Sequence, residues 1–403
     1  MISIKNAPNF LLLARTLQCA MFPLPVIMLF YQYKGATIGD FFLIQGIFSI
    51  FTFALEIPSG YLGDLFSRKK VIMLGLFFYL AGNFIWIFGT GFLGIMGGEA
   101  MFAISHSLCS GTIEAYLYDL LKKEHKERKM HQKLGKLETY SGISMTVATL
   151  TGGILYYNVG PESVVWGSIL TTSIALTITF FLPDIPEFKR QNISSSKIKD
   201  ILEISKSAVQ NYEIKWLIIY PSFFGICTLI LMWGLQPVMI SKEIPAHIFG
   251  FVSGFNMICR VGWSSLSNRL FKFLGLNGLI KMLLLVLFIG FGASILVENM
   301  TSQAMIYISL CLMAVSAGSQ IILKIVTTTL INHRIQSNER ATVLSVKSMA
   351  SKLFSGIGLI ILKPLFDEIG IQETFLISSI LVFIVSLISY YLIKMQVKLQ
   401  PTT

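Results

Sequence analysis

Two sets of ionisable residues stand inside apolar stretches of this sequence, where each is costly to bury unless a partner, a cavity or a ligand balances it. The first set is acidic. Glu99, His106 and Glu114, with Ser107 and Ser110, share one apolar run at 95–121. On a continuous helix they fall within roughly 100° of arc, a single polar face. Two carboxylates and an imidazole on one face can relay protons. Glu114 is the first candidate for proton coupling, Glu99 the second, and His106 a further one. The alternatives are a solvated Glu99 near an external mouth, a structural pair at Glu114, and a packed, hydrogen-bonded His106.

The second set is basic. Asn256, Arg260, Ser264 and Ser267 recur at i, i+4, i+8 and i+11 on one face of a run. Lys347, Ser348, Ser351, Lys352 and Ser355 share a polar arc of roughly 140° on another. Arg260 and Lys352 have no acid at their depth, since Glu298 and Glu339 lie at run ends. Cations so placed suit a carboxylate or phosphate ligand, which Arg binds through two parallel hydrogen bonds. Pairing with acids of the first half, such as Glu114, is the structural alternative. Asn256, Gln236 (near Trp233) and Gln18 complete the candidate substrate contacts. Arg15 lies on the face of Gln18 and suits either substrate or an acid such as Glu138. Lys347 and Lys324 are expected to snorkel to the membrane surface.

These residues require long apolar helices to position them. The chain has 403 residues, 54% hydrophobic and 13% charged, too apolar for a soluble protein of this length. Twelve apolar runs are each long enough to cross about 30 Å of hydrocarbon. They lie at 10–31, 41–60, 71–90, 95–121, 135–157 and 163–182, then at 214–240, 248–271, 278–297, 304–331, 341–366 and 374–393. The expected fold is an all-α membrane protein of twelve transmembrane helices in two pseudo-symmetric six-helix bundles, 1–182 and 214–403. A polar cytoplasmic linker, 183–213, joins them, with an amphipathic helix near 198–209. Pro23, Pro25, Pro221 and Pro237 fall inside runs and are expected to bend them.

The net charge of +11 invites a nucleic-acid partner, but the cations sit in short loops between runs. With both termini cytoplasmic, the external segments hold only Lys34, Lys242 and Lys363, and the other loop cations lie inside. The five cysteines all fall within runs and show no metal spacing. No metal, cofactor or nucleotide-binding motif is expected.

One charged stretch joins the second and third runs: Gly60-Tyr61-Leu62-Gly63-Asp64-Leu65-Phe66-Ser67-Arg68-Lys69-Lys70. It resembles the loop between helices 2 and 3 of the major facilitator superfamily, with Gly60, Leu62, Asp64, Arg68 and Lys69 matching and Leu65 and Ser67 departing. The strings at 56–60, 110–119 and 340–345 resemble a bacterial branch of that superfamily. Weak internal repeats support two related halves: Ser264 to Arg269 aligns with Gly60 to Leu65, and Ala317-Gly318-Ser319 with Ser110-Gly111-Thr112. The resemblance implies a pair between Asp119 and Arg68. It also implies a conformational latch of Gly60, Gly63, Asp64, Arg68, Asp119 and Arg340. The superfamily's frequent Arg early in helix 4 is missing, and Glu99 stands near that place.

Residues and resemblance together suggest a monomeric secondary transporter of a bacterial inner membrane, not an enzyme. It would move a small organic anion by alternating access, coupled to protons. The alternative is a proton-coupled exporter of lipophilic or cationic drugs.

Overall fold

A computed structural model describes the backbone of residues 2–185, 210–336 and 339–396, and their side chains apart from 57, 61–65, 341, 382 and 385–396. The amphipathic helix expected near 198–209 lies outside the described residues. Among those residues the regular structure is helical throughout. This follows from the solvent: in hydrocarbon a backbone must satisfy its own hydrogen bonds, and a helix does so within one segment.

The chain forms two units. One takes in Met1–Gln191 and Pro245–Gly254, the other Asn192–Ile244 and Phe255–Thr403. The first unit contains α1 (Ala7–Gln18), α2 (Ile27–Tyr33), α3 (Ile38–Leu65), α4 (Arg68–Phe88), α5 (Gly91–Cys109), α6 (Thr112–Lys123), α7 (Met130–Asn158) and α8 (Ser163–Phe181). In it α4 packs on α5 and α8, α3 on α5, and α1 on α7 and α8. The second unit contains α9 (Tyr212–Ser241), most of α10 (Ala246–Leu296), α11 (Gln303–Gly318), α12 (Gln320–Arg334), α13 (Arg340–Pro364) and α14 (Ile371–Gln396). There α9 is the central element, packed against α11, α12, α13 and α14.

Helix lies over each of the twelve apolar runs, but eight helical stretches meet the length and apolarity of a span on their own among the described residues. The difference has physical causes. The first run is split into α1, a 3-10 turn at Leu24–Val26 and α2. Pro23 and Pro25 explain the split, because each lacks a backbone donor and clashes with the preceding turn. By contrast Pro221 and Pro237 are absorbed within the continuous helix α9. α10 is a 51-residue stretch interrupted at Gly275, whose φ of 64° is open to glycine at little cost. A straight helix of that length would run about 76 Å, more than twice the hydrocarbon thickness.

The expected charged loop at Gly60–Lys70 is mostly helix. α3 continues to Leu65 and α4 starts at Arg68, leaving only Phe66 and Ser67 between them. Among the described residues nothing lies within 4 Å of where a Cβ on Gly60 would stand.

Three lysines tie helix ends. In the first unit Lys69 Nζ donates to the carbonyls of Phe180 and Leu182 at 2.7 Å each, capping the C-terminus of α8. Lys34 Nζ donates to the Ile87 carbonyl at 2.7 Å in the last turn of α4 and to Glu162 Oε1 at 3.0 Å. In the second unit Lys242 Nζ donates to the Glu298 carbonyl at 2.6 Å, just beyond α10. A cation on terminal carbonyls satisfies orphan acceptors and complements the helix dipole. Near the start of α7, Lys133 donates to Asn9 Oδ1 at 2.6 Å. Partial burial, with the like charges of Lys136 and Lys129, pushes the Lys133 ammonium below the usual lysine range.

The unwound segment after α1 packs against α7. A Cβ on Gly152 would collide with the Phe22 carbonyl, a backbone atom that cannot rotate away. Gly142, on the same helix, has nothing within 4 Å. Gly152→Ala is therefore expected to destabilise the purified protein by about 1–3 kcal/mol. Gly142→Ala should leave stability unchanged or raise it by up to about 1 kcal/mol. Thermal unfolding of both variants in detergent checks the contrast, and equal midpoints would refute it.

Candidate substrate and coupling sites

The second unit holds a partly open cavity of about 370 Å³. Four helices build it. α9 supplies Pro221 and Ser222, α10 supplies Arg260, and α12 supplies Gln320, Ile321, Lys324 and Thr328. α13 supplies Leu344, Lys347, Ser348, Ser351 and Lys352. Four of these residues are cations and none is acidic. The sequence candidates Arg260 and Lys352 thus line one cavity, joined by Lys324 and Lys347.

Arg260 is held on a fixed helix. One turn before it, Asn256 Nδ2 donates to the Ala314 carbonyl at 2.7 Å; three residues after it, Trp263 Nε1 donates to the Val315 carbonyl at 2.9 Å. Asn256 is therefore a tie between α10 and α11 and does not line the cavity, in contrast to the expected substrate contact. Gly318 leaves room for the Arg260 stem, since a Cβ there would meet Arg260 Cγ at 3.4 Å. Gln320, which the sequence reading passed over, sits over Gly225, where a Cβ would meet its Nε2 at 2.6 Å.

Lys347 does not snorkel. It is 9% exposed, and its ammonium donates to Thr327 Oγ1 at 2.6 Å, Thr328 Oγ1 at 2.9 Å and the Lys324 carbonyl at 3.3 Å. Threonines on the helix α12 retain it, a pattern that only the packing of α13 on α12 reveals. Lys324 itself is exposed at the cavity edge. Gln236 is 3% exposed within α9 and is not among the cavity residues.

In the first unit the acidic set is rearranged. The helix expected to carry it is broken: Ser110 is extended and Gly111 left-handed, with φ 74°, so α5 ends at Cys109 and α6 begins at Thr112. Across such a break the single polar stripe does not persist. Glu99 is 4% exposed, whereas His106 is exposed and stacks edge-on with Phe48. Glu114 stands in the first turn of α6, where a helix dipole stabilises negative charge. One of its carboxylate oxygens is buried without a hydrogen bond.

Glu99 is the more enclosed acid, rather than a solvated one. The Tyr31 hydroxyl donates to its Oε1, and Gln45 Nε2 donates to the same oxygen at 3.1 Å. Tyr31 is packed against Phe41 and Trp86, so the donor is fixed by aromatic contacts. Both donors are neutral, and no ion pair involves Glu99 among the described residues. Tyr31 on α2 and Gln45 on α3 escaped the sequence reading because neither is near Glu99 in the chain.

Gln18 accepts from Arg15 Nη1 at 3.0 Å and approaches Cys109 Sγ at 3.4 Å. Arg15 makes no ion pair among the described residues, so its partner is Gln18 rather than Glu138. Arg68 Nη1 lies 2.9 Å from Asp119 Oδ2, both half-buried, the pair that the motif implied. Arg340 Nε donates to the Ile335 carbonyl at 3.3 Å. The side chain of Asp64, and the surroundings of Gly63, lie outside what is described.

The family model of the Major Facilitator Superfamily matches residues 10–358. An uncharacterized MFS-type transporter of Methanocaldococcus jannaschii is 24% identical over 389 residues, covering 92% of this chain and 93% of that protein. An uncharacterized transporter of Buchnera aphidicola is 31% identical over 159 residues, and the match spans 38% of this chain and 38% of that relative, well under half of its length. Among solved structures, the nucleoside transporter NupG superposes with a TM-score of 0.76 at 14% identity, covering 98% of this chain and all of that one, a likeness of fold. The chain thus belongs to the Major Facilitator Superfamily and is a multi-pass integral membrane protein.

Proposed function

We propose that this protein is a secondary transporter of a small organic anion, driven by protons and working by alternating access. The observation that carries the reading is the second-unit cavity, lined by Arg260, Lys324, Lys347 and Lys352 and, among the described residues, by no acid. An uncompensated cation in a membrane protein costs about 2.5–3.5 kcal/mol on insertion scales, and a bound anion offsets that cost. A volume of about 370 Å³ lies at the lower end of small-ligand sites, roughly 300–1,000 Å³. In this reading twelve helices cross a bacterial inner membrane, both termini are cytoplasmic, and the monomer is the working unit. The broken first helix supplies a crossing in two pieces.

Glu99 takes the coupling role in this proposal, ahead of Glu114 and His106. Its carboxylate meets only neutral donors, from Tyr31 and Gln45, so taking up a proton removes the cost of burying its charge. The Arg68–Asp119 pair, with Gly60, Gly63, Asp64 and Arg340, is assigned to a latch that biases the conformational equilibrium.

Binding of organic anions to purified protein tests the substrate class. Arg260→Gln and Lys352→Gln should each weaken binding at least tenfold, with Lys272→Gln as an exposed control that has no effect. Tight binding of lipophilic cations, undiminished by either substitution, would favour a drug exporter instead.

Proteoliposomes test the coupling. Glu99→Gln is expected to abolish accumulation driven by a pH gradient while substrate exchange at zero gradient survives. Tyr31→Phe should impair gradient-driven uptake less severely. Accumulation that stays pH-dependent in Glu99→Gln would move the proton site elsewhere.

A further inference from the structure

The cations of this chain are answered in different ways. The three lysines that the charge pattern assigns to the sparsely charged side each have an acid: Lys34 with Glu162 at 3.0 Å, Lys242 with Glu298 at 3.9 Å, and Lys363 with Asp367 at 3.0 Å. Arg260 and Lys347 are different. Both reach the second-unit cavity, and neither forms an ion pair among the described residues. Among the described residues no acid lines this cavity.

Lys347 also differs from Arg260 in what it can offer a ligand. An ammonium has three donors, and all three are taken by Thr327 Oγ1, Thr328 Oγ1 and the Lys324 carbonyl. The threonine protons are taken too, by the Leu323 carbonyl at 2.5 Å and the Lys324 carbonyl at 2.6 Å. Every hydrogen bond in this cluster is therefore closed. Lys347 contributes a fixed positive charge and no free donor. Arg260 keeps its planar fork of donors, on a helix immobilised by Asn256 and Trp263. Lys324 is exposed at the cavity edge, where solvent screens it, and Lys352 has other contacts, so the proposal is built on Arg260 and Lys347.

We propose that the cavity binds a small dianionic oxyanion, a phosphate monoester or a dicarboxylate, which Arg260 grips by hydrogen bonds while Lys347 balances its second charge through space. This rests on the reading of the cavity as the anion site and narrows it. At least two positive charges of the cavity, those of Arg260 and Lys347, lack an acid among the described residues and call for two negative ones. A monoanion would leave one of them uncompensated in a medium of low dielectric, where that imbalance weighs heavily. The cavity volume restricts the dianion to a small molecule.

Matched ligand pairs test the proposal on the full-length wild-type protein in detergent, by titration calorimetry at pH 7.5. Glycerol 3-phosphate and glycerol 3-sulfate have the same shape but carry two charges and one. Succinate and its monomethyl ester form the second pair. The dianion of at least one pair is expected to bind at least tenfold more tightly than its monoanionic partner, and the pair that shows it identifies the source. Binding of glycerol 3-phosphate should also fall at least fivefold at pH 5, because a phosphate monoester takes up its second proton near about pH 6, while the sulfate ester is unaffected. Lys347→Met should abolish the preference for the dianion, and Arg260→Gln should weaken both members of the pair. Since Lys347→Met removes a buried network, the comparison within wild type stands as the deciding measurement if that variant misfolds. Equal affinity for the two members of both pairs would overturn the dianion proposal and leave the anion site standing. Binding of neither pair, or binding indifferent to Arg260→Gln, would overturn both.

Discussion

A charge or an open hydrogen-bonding group inside a helical bundle in hydrocarbon has no water to turn to, and the arrangement of this protein follows from how each one is answered. Helix ends are the first such problem, since the last turn of every helix leaves carbonyls without partners. Lys69 answers it for α8, Lys34 for α4 and Lys242 for the end of α10. Lys34 and Lys242 occupy related places: each follows the first long segment of its unit and reaches the end of the third. The weak internal repeat of the sequence therefore has a counterpart in how the two units close their helices.

Discontinuities are the second feature, and they are unequal in the two units. At Ser110–Gly111 the helix stops and restarts, which frees the amides of the first turn of α6 and places Glu114 beside them. At the aligned positions in the second unit, Ala317 and Gly318 stay within α11, and Ser319, with right-handed helical angles, is the single residue between α11 and α12. Glycine at 111 permits the left-handed conformation, whereas the corresponding residue in the alignment is Gly318, which is used for space beside Arg260. One small residue in each half thus serves a different purpose: backbone freedom in the first, room for a side chain in the second.

The two units also divide the chemistry. The enclosed acid, Glu99, is in the first, surrounded by the neutral donors of Tyr31 and Gln45. The enclosed cations are in the second, around a cavity with hydroxyls from Ser222, Thr328, Ser348 and Ser351. Neither Glu99 nor Arg260 forms an ion pair among the described residues. In the proposed function Glu99 meets a proton and Arg260 an anion.

Much of this was legible in the chain itself. Long apolar runs dictate helices, because hydrocarbon leaves the backbone no other partner. Arg260 and Lys352 were recognisable as cations inside apolar runs that could line a cavity, and the motif around Arg68 pointed to Asp119. What the chain could not show was contact between distant segments. The polar stripe through Glu99, His106 and Glu114 assumed an unbroken helix, and a left-handed Gly111 undid it. Asn256 shares a face with Arg260, yet its amide is taken by the Ala314 carbonyl of a neighbouring helix. Lys347 looked free to reach the surface until α12 placed two threonine oxygens against it. Periodicity reports which residues share a face of one helix. Which neighbour that face meets, and whether the neighbour brings an acid, a hydroxyl or an empty space, is decided only when the helices pack.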